Sequence, residues 1–186
     1  MKITNDYVFF YKDWLSNYQR TNIHINWKGT KYTFSSTEQG FMFIKALTFG
    51  DNETAQQILA TNKPNDTRLL GRKVKNYNDK EWDKVRYDIF YMLNLEKYTQ
   101  DKNLQERLLD KKFDHKIFVE ASPIDRIWGI GYAEDDDRIE YREFDWGRNY
   151  LGKIITNIRN RILLNKLEDP NWNIYNYCGK GDEGDR

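Results

Sequence analysis

A carboxylate and an amine stand seven residues apart in the segment SSTEQGFMFIKA (residues 35–46): Glu38 and Lys45. On a helix turning about 100° per residue, that spacing puts both side chains on one face, about 10 Å apart along the axis, with Phe41 and Met42 between them. Such a pair suits a sugar. An acid and an amine separated by apolar residues on one face could bracket one. A glutamate in the first turn is also favoured in its ionised form by the helix dipole. Two plainer roles stand beside this chemistry. Glu38 fits a capping box with Ser35, although Gln39 with Ser36 fits one as well and would release it. Lys45 fits a lysine whose stem lies along apolar surface with its head in water. Buried instead, it would be a nucleophilic amine of lowered pKa.

Two further segments carry more specification than packing requires. In LGRKVKNYNDKEWDKVR (residues 70–86), Trp82 and Arg86 are four apart and share a helical face. An indole beside a guanidinium suits a flat base with a phosphate; a core Trp with a surface Arg is the ordinary alternative. In EASPIDRIWGIGY (residues 120–132), glycines permit close approach of backbone to a ligand. There Asp125 could take a ribose hydroxyl and Trp128 could stack, or Asp125 could simply bond its own backbone in a tight turn. Gly129-Ile130-Gly131 is no dinucleotide fingerprint, because no GxGxxG opens a helix.

The elements that must position these groups follow from periodicity and caps. Residues 8–11 predict a short strand. Residues 22–34 predict a hairpin, with Ile23, Ile25 and Trp27 alternating, Lys28-Gly29 as the turn, and Tyr32 and Phe34 on the return. Ser35, Ser36 and Thr37 open a helix that stops at Gly50. Asp51 caps a second helix through Ala60, with Pro64 after its end. Asn78 with Glu81 opens a long helix carrying Trp82, Val85, Ile89 and Met92 on one stripe. Asp101 begins a shorter one with Leu104, Leu108 and Leu109. Residues 116–120 form a strand, and residues 134–137 an acidic loop. The last helix covers residues 149–167, with Leu151, Ile154, Ile155, Ile158 and Ile162 inward, and Pro170 beyond it. The expected fold is α+β, a mainly helical single domain with a small β-sheet over residues 1–167, followed by a polar C-terminal tail, residues 168–186.

Composition narrows the chemistry. The 186 residues suit one globular domain, and a net charge of +1 gives no general pull toward nucleic acid. Lys153, Arg159, Arg161 and Lys166 on the last helix form either a strand-tracking surface or a solvated face. Aromatics make up 16% of the chain, enough for either a packed core or a base-stacking pocket. One cysteine, Cys178, and two histidines, His24 and His115, leave no intrachain disulfide, no zinc spacing and no Ser-His-Asp triad to argue from. No metal and no cofactor are expected. The apolar run near the N-terminus is too short for a signal peptide, and no stretch approaches membrane-spanning length; a cytoplasmic protein without a membrane partner is expected.

The stretches WLSNY (14–18), SSTEQGFMFIKALTFGD (35–51), LGRKV (70–74), EWDKVR (81–86), VEASPIDRIWGIGY (119–132) and WGRNYLGKIITNIR (146–159) occur in one order. With them the chain resembles the NADAR (YbiA-like) family of N-glycosidases. The resemblance implies hydrolysis of the bond between a phosphorylated ribose and a nitrogen base. Some members act on phosphoribosylamino intermediates of riboflavin synthesis. Others remove ADP-ribose from guanine in nucleic acid, opposing DarT-type ADP-ribosyltransferase toxins. It implies further that Glu38 is the active-site glutamate, Lys45 a lysine forming an imine with the sugar, and Asp125 a third catalytic group. Asn17, Arg72, Trp82, Arg86, Arg126, Trp128, Gly129 and Asn149 would bind substrate. The leading expected substrate is ADP-ribosylated guanine in DNA, with a toxin of the transferase type as functional counterpart. The rivals are a small phosphoribosyl substrate of the riboflavin pathway and a non-catalytic reader of ADP-ribose or a NAD-derived nucleotide. One departure is Gly40, where an aromatic commonly follows the Glu-Gln pair; its expected effect is a larger pocket or looser stacking. The other is the tail after Leu164, which has no family counterpart.

Overall fold

The structure, a computed structural model, describes residues 1–164. In chain order these form β1 (Lys2–Ile3), β2 (Tyr7–Phe10), β3 (Ile23–Trp27), β4 (Thr30–Phe34), α1 (Thr37–Thr48), α2 (Asn52–Ala60), α3 (Pro64–Gly71), α4 (Asp79–Asp83), α5 (Arg86–Gln100), α6 (Lys102–Leu108), β5 (Ile117–Glu120) and α7 (Tyr150–Leu163). The class is α+β and mainly helical, as expected, with two small sheets rather than one. The chain divides into two units, Lys12–Gln105 and Met1–Tyr11 with the chain from Glu106 onward. The tail (residues 168–186), Lys166, Pro170 and Cys178 lie outside the described residues, as does the C-terminal end of the last helix as expected from sequence.

In the Lys12–Gln105 unit, β3 and β4 pair antiparallel with Trp27 opposite Thr30. The turn between them needs two residues of positive φ, and Lys28 (49°) and Gly29 (87°) supply them, the twist that suits a two-residue hairpin. Ile23 and Ile25 point inward while His24 and Asn26 face out. Helix α1 ends at Gly50, where φ is 72° and the amides of Gly50 and Asp51 reach back to the carbonyls of Leu47 and Ala46, closing the orphan acceptors of the last turn. Asp51 then caps α2 by accepting the Thr54 amide at 3.1 Å. Pro64 does more than follow that helix: it is the first residue of α3, where its fixed φ suits a helix start and its missing N–H is not needed.

The long helix expected from Asn78 is two helices. Asn78 caps α4 through the Glu81 amide, as predicted, but α4 stops at Asp83, and Val85 takes a non-helical φ of −125° before α5 begins. Val85, expected on the apolar stripe, is 37% exposed, whereas Trp82, Ile89 and Phe90 are buried. A break re-phases the two segments so that Trp82 and the α5 stripe both face apolar neighbours without burying Val85. Trp82 and Arg86 therefore sit on different helices.

In the other unit, β2 lies between β1 and β5 and pairs parallel with β5, Tyr7 opposite Ile117 and Phe10 opposite Glu120. Val8, Phe9 and Phe10 are all fully buried, the continuous apolar run typical of a strand covered on both faces. Phe9, Val119, Ala121, Ile130 and Ile139 form a core edged by Tyr7, Tyr132 and Trp146. Helix α7 lays Leu151, Ile154, Ile155, Ile158 and Ile162 inward, the stripe expected. Gly152 allows this close docking, because a Cβ there would stand 2.2 Å from the Phe118 carbonyl oxygen. Arg159, expected on a solvated or strand-tracking face, is buried, with its guanidinium on the Phe113 carbonyl and 5.2 Å from the Phe118 ring. At eight residues from Leu151 it falls on the inward stripe, so it is unavailable to a nucleic-acid strand.

Two side chains tie β5 to α7: Thr156, whose Oγ1 accepts the Phe118 amide at 2.9 Å, and Asn149. Asn149 takes a left-handed φ of 51°; its Oδ1 accepts the Glu120 amide at 3.0 Å and its Nδ2 donates to the Phe118 carbonyl at 3.1 Å. Asn149→Ala leaves both strand groups without that partner and places an alanine in a conformation asparagine tolerates better. A loss of about 3 kcal/mol in stability is expected, measured by chemical denaturation, and Asn149→Asp, which keeps the accepting oxygen, is expected to lose less.

Candidate active site

Helix α1 starts inside the protein. Ser36, in extended conformation, is its N-cap, and its Oγ accepts the Gln39 amide at 3.2 Å. The Gln39 side chain takes up Ser35, accepting from its N–H at 2.7 Å and from its Oγ at 3.0 Å, and donates through Nε2 to the Ile58 carbonyl at 3.0 Å. Ser35 N–H is the group a Glu38 capping box would use, and Gln39 occupies it. Glu38 is held by its backbone instead: its N–H donates to the Asn17 carbonyl at 3.1 Å, beside the Thr37 hydroxyl, which donates to the same oxygen. Asn17 thus meets Glu38 through main chain. The Glu38 side chain is buried in the first turn of α1.

Lys45 lies two turns on along α1. It is half-buried, with Nζ donating to the Gly71 carbonyl at 2.9 Å and standing 4.1 Å from the centre of the Tyr77 ring. Burial pulls its pKa below the ordinary lysine value, against the Asp79 and then the Glu38 carboxylates, which favour the charged form. Tyr77 donates its hydroxyl to Asp79 at 2.7 Å, and burial with that carboxylate pushes the phenol up to about 12. Asp79 also lies 3.8 Å from Arg86, which contacts Asp83 more closely. Lys45, Tyr77, Asp79 and Arg86 therefore form one chain of charge and aromatic contacts.

The structure buries the remaining members of this group differently. Arg86 is 7% exposed and ion-paired, not a surface arginine. Trp82 is 3% exposed, its ring centre 5.0 Å from Phe41 and 6.3 Å from Phe49. Arg72 is exposed at the end of α3, next to the Gly71 carbonyl that holds Lys45. Gly40 is buried, and a Cβ there would meet Leu93 at 2.7 Å and Phe34 at 2.9 Å. Two residues on from Glu38, it points to the opposite side of α1, so the missing aromatic makes room for core packing against Leu93 and Phe34.

Asp125, Arg126, Trp128, Gly129 and Asn149 belong to the other unit, where one turn gathers them. Asp125 Oδ1 accepts the amides of Ile127 and Trp128, both at 2.8 Å; this is the self-bonded turn that the sequence left as an alternative. Gly129 is required by backbone: a Cβ would stand 2.7 Å from the Glu120 carbonyl oxygen. The carbonyls of Arg126, Ile127, Trp128 and Gly129 accept the amides of Arg148, Tyr150, Leu151 and Asn149 at the start of α7. Arg126 is exposed and reaches Asp145, whose carboxylate also takes the Tyr132 hydroxyl. Trp128 meets Tyr150 edge-on at 5.8 Å. Among the described residues no group of three or more His, Cys, Asp or Glu is placed to hold a metal ion.

Sequence reasoning passed over Tyr77, Asp79 and Lys97. The first two flank the Asn78 cap inside a segment already singled out, and their link to Lys45 is purely tertiary. Lys97 had a readable signal: it falls on the buried stripe of α5 with Phe90 and Leu93, where a lysine has no place unless its amine is satisfied.

A model of the NADAR domain matches residues 3–163, across both units. The chain is 37% identical over 169 residues to a protein of Acanthamoeba polyphaga mimivirus named N-glycosidase R617, covering 84% of this chain and 96% of that one. It is 39% identical over 132 residues to Protein irg-1 of Caenorhabditis elegans, covering 69% and 61% respectively. It is 26% identical to the chloroplastic riboflavin biosynthesis protein PYRR of Zea mays, spanning only 25% of that longer chain. The fold is like that of the Escherichia coli protein YbiA, solved by NMR, with a TM-score of 0.66 at 23% identity over 90% of each chain. No described helix is long and apolar enough to cross a membrane. Matched by the family model over most of its length, the chain belongs to the NADAR family.

Proposed function

We propose that this chain is an N-glycosidase that hydrolyses the bond between a phosphorylated ribose and a nitrogen base, and that its substrate is ADP-ribosylated guanine in DNA. One observation carries the chemistry: a half-buried Lys45 of lowered pKa on the same helix as the buried Glu38. Identity of 37% with the mimivirus N-glycosidase, over 96% of that protein, supports the reaction class. Residues 1–167 would form the glycosidase domain and residues 168–186 a polar tail.

Neutral Lys45 attacks the anomeric carbon, and the glycosidic C–N bond breaks with its electron pair leaving on the base. Glu38 stabilises the positive charge on the sugar and passes the proton that the lysine loses to the departing nitrogen. The ribose ring then opens to a lysine imine, and water hydrolyses it to free sugar and amine. Asp125, Arg126 and Trp128 keep their roles by motif: hydroxyl orientation, phosphate binding and stacking. Both arginines are ion-paired, but Arg126 is exposed and suits phosphate better than the buried Arg86. A functional counterpart would be an ADP-ribosyltransferase that modifies guanine.

Mass spectrometry of a guanine-ADP-ribosylated DNA oligonucleotide tests the substrate. Wild type is expected to remove the ADP-ribose mass, and Glu38→Gln to do so at least about 100-fold more slowly. An unchanged oligonucleotide with folded protein moves the substrate to the small phosphoribosyl compounds of the riboflavin pathway, the pathway named for the maize relative. Tight binding without base release from either substrate class would make the protein a reader.

Borohydride added during turnover tests the imine. Wild type is expected to gain the sugar mass on Lys45, and Lys45→Arg none. Because burial lowers the Lys45 pKa, the neutral amine appears below the ordinary lysine value of 10.5. The single-turnover rate should rise about tenfold per pH unit up to that lowered pKa, then level. A rate flat with pH and no trapped adduct would leave Glu38 acting with water alone.

A further inference from the structure

Lys97 is fully buried near the end of α5, and the chemistry just described does not use it. Its Nζ lies 3.4, 3.4 and 3.2 Å from the carbonyl oxygens of Trp14, Leu15 and Ser16. Three consecutive carbonyls aimed at one point would repel one another without a cation among them. The same turn is bound at its other end by Asp13, whose Oδ1 accepts the Leu15 amide at 2.9 Å. It continues into Asn17, whose carbonyl holds the Glu38 amide and the Thr37 hydroxyl, both at 3.1 Å. The path from lysine to glutamate is thus one turn of main chain, with hydrogen bonds at each end and no flexible side chain between.

We propose that Lys97 is a positioning residue for Glu38, acting through the turn at residues 14–17 that its ammonium gathers. The inference rests on Glu38 being the catalytic carboxylate. The ammonium offers three hydrogens and a charge to three carbonyl dipoles; the neutral amine offers two hydrogens and no charge. Burial brings the Lys97 pKa down to about 7, opposed by Asp13 and then Asp101, the carboxylates that face it; the Tyr98 ring stands 4.8 Å away. The grip on the turn is therefore present below about pH 7 and weakens above it.

Stability runs the other way. With a folded pKa of about 7 against an unfolded value of 10.5, the unfolded chain holds one more proton on this residue between those values. Lys97 alone therefore makes global stability rise with pH across that window. A residue that merely supports the fold would follow stability; a positioning residue would lose local protection at Glu38 while stability improves.

The experiment is hydrogen exchange of the Glu38 amide, normalised to the intrinsic rate, together with steady-state kinetics on the full chain. In wild type the protection of Glu38 should fall as pH passes about 7. In Lys97→Met, which keeps the bulk and loses the charge, protection at Glu38 should be about tenfold below wild type under about pH 7 and without that step, so that the two converge above it. Its kcat should fall about 10- to 100-fold with KM changed less than about threefold. Asp13→Asn keeps an oxygen for Leu15 and removes a carboxylate facing Lys97, so the step should move to lower pH; this variant decides the matter if Lys97→Met does not fold. Wild-type protection at Glu38 that ignores pH, a Lys97→Met variant matching wild type in exchange and in kcat, or a step unmoved by Asp13→Asn, overturns the proposal. Absent turnover in wild type would count against the glycosidase reading alone, because the exchange measurement needs no substrate.

Discussion

A helix that begins inside a protein must find partners for amides that its own turns leave unpaired, and α1 begins there. Its solution fixes everything near Glu38. Ser36 accepts one amide, the Asn17 carbonyl accepts another, and Gln39 turns back to Ser35 while anchoring itself on the end of α2. A glutamine in place of a second glutamate in the cap matters chemically. The cap needs an oxygen facing one way and an N–H facing the other, and only an amide has both. The carboxylate next door is thereby excused from capping and placed in the dipole of the helix start.

The electrostatics of the other end of α1 follow from a different economy. Lys45 is half-buried against a carbonyl, an aromatic ring and, further off, two carboxylates. The ring and the carboxylates favour the ammonium, while desolvation favours the amine, and desolvation wins. That balance leaves the amine held by the Gly71 carbonyl and deprotonated more readily than an exposed lysine. Gly71 belongs to it, since a Cβ there would run into Met42, whose Sδ would be 2.1 Å away. The carbonyl reaches Lys45 because the residue bearing it has no side chain.

Local signals in the sequence were readable wherever a structural decision is made by adjacent residues. The Lys28-Gly29 turn, the Asp51 cap, the Gly50 stop and the inward stripe of α7 are all set within a few positions. The break at Val85 was not readable, because continuous helix and broken helix have the same propensities there; what decides is the depth at which Trp82 meets Phe41 and Phe49. Gly40 misled for a related reason. Its place next to the Glu38-Gln39 pair suggested a pocket, but a residue two positions along a helix faces nearly the other way. Glu38 and Lys45 on one helix were legible from spacing alone, whereas Tyr77, just before α4, and Asp79, its first residue, come to Lys45 by a path that no local pattern announces.

The segment at residues 120–132 shows how a distinctive motif divides between architecture and chemistry. Much of its specification has an internal use. Asp125 gives one oxygen to two amides, Gly129 lets the Glu120 carbonyl approach, and four carbonyls of the turn receive the amides at the start of α7. Asn149 locks the strand on the far side. A turn this fully bonded is rigid, and rigidity is what a carboxylate needs if it is to orient a sugar to within a fraction of an ångström. Strong specification by backbone is therefore no argument against a catalytic part for Asp125. Its second oxygen, Oδ2, has no hydrogen bond among the described residues, and the first fixes where that second one points.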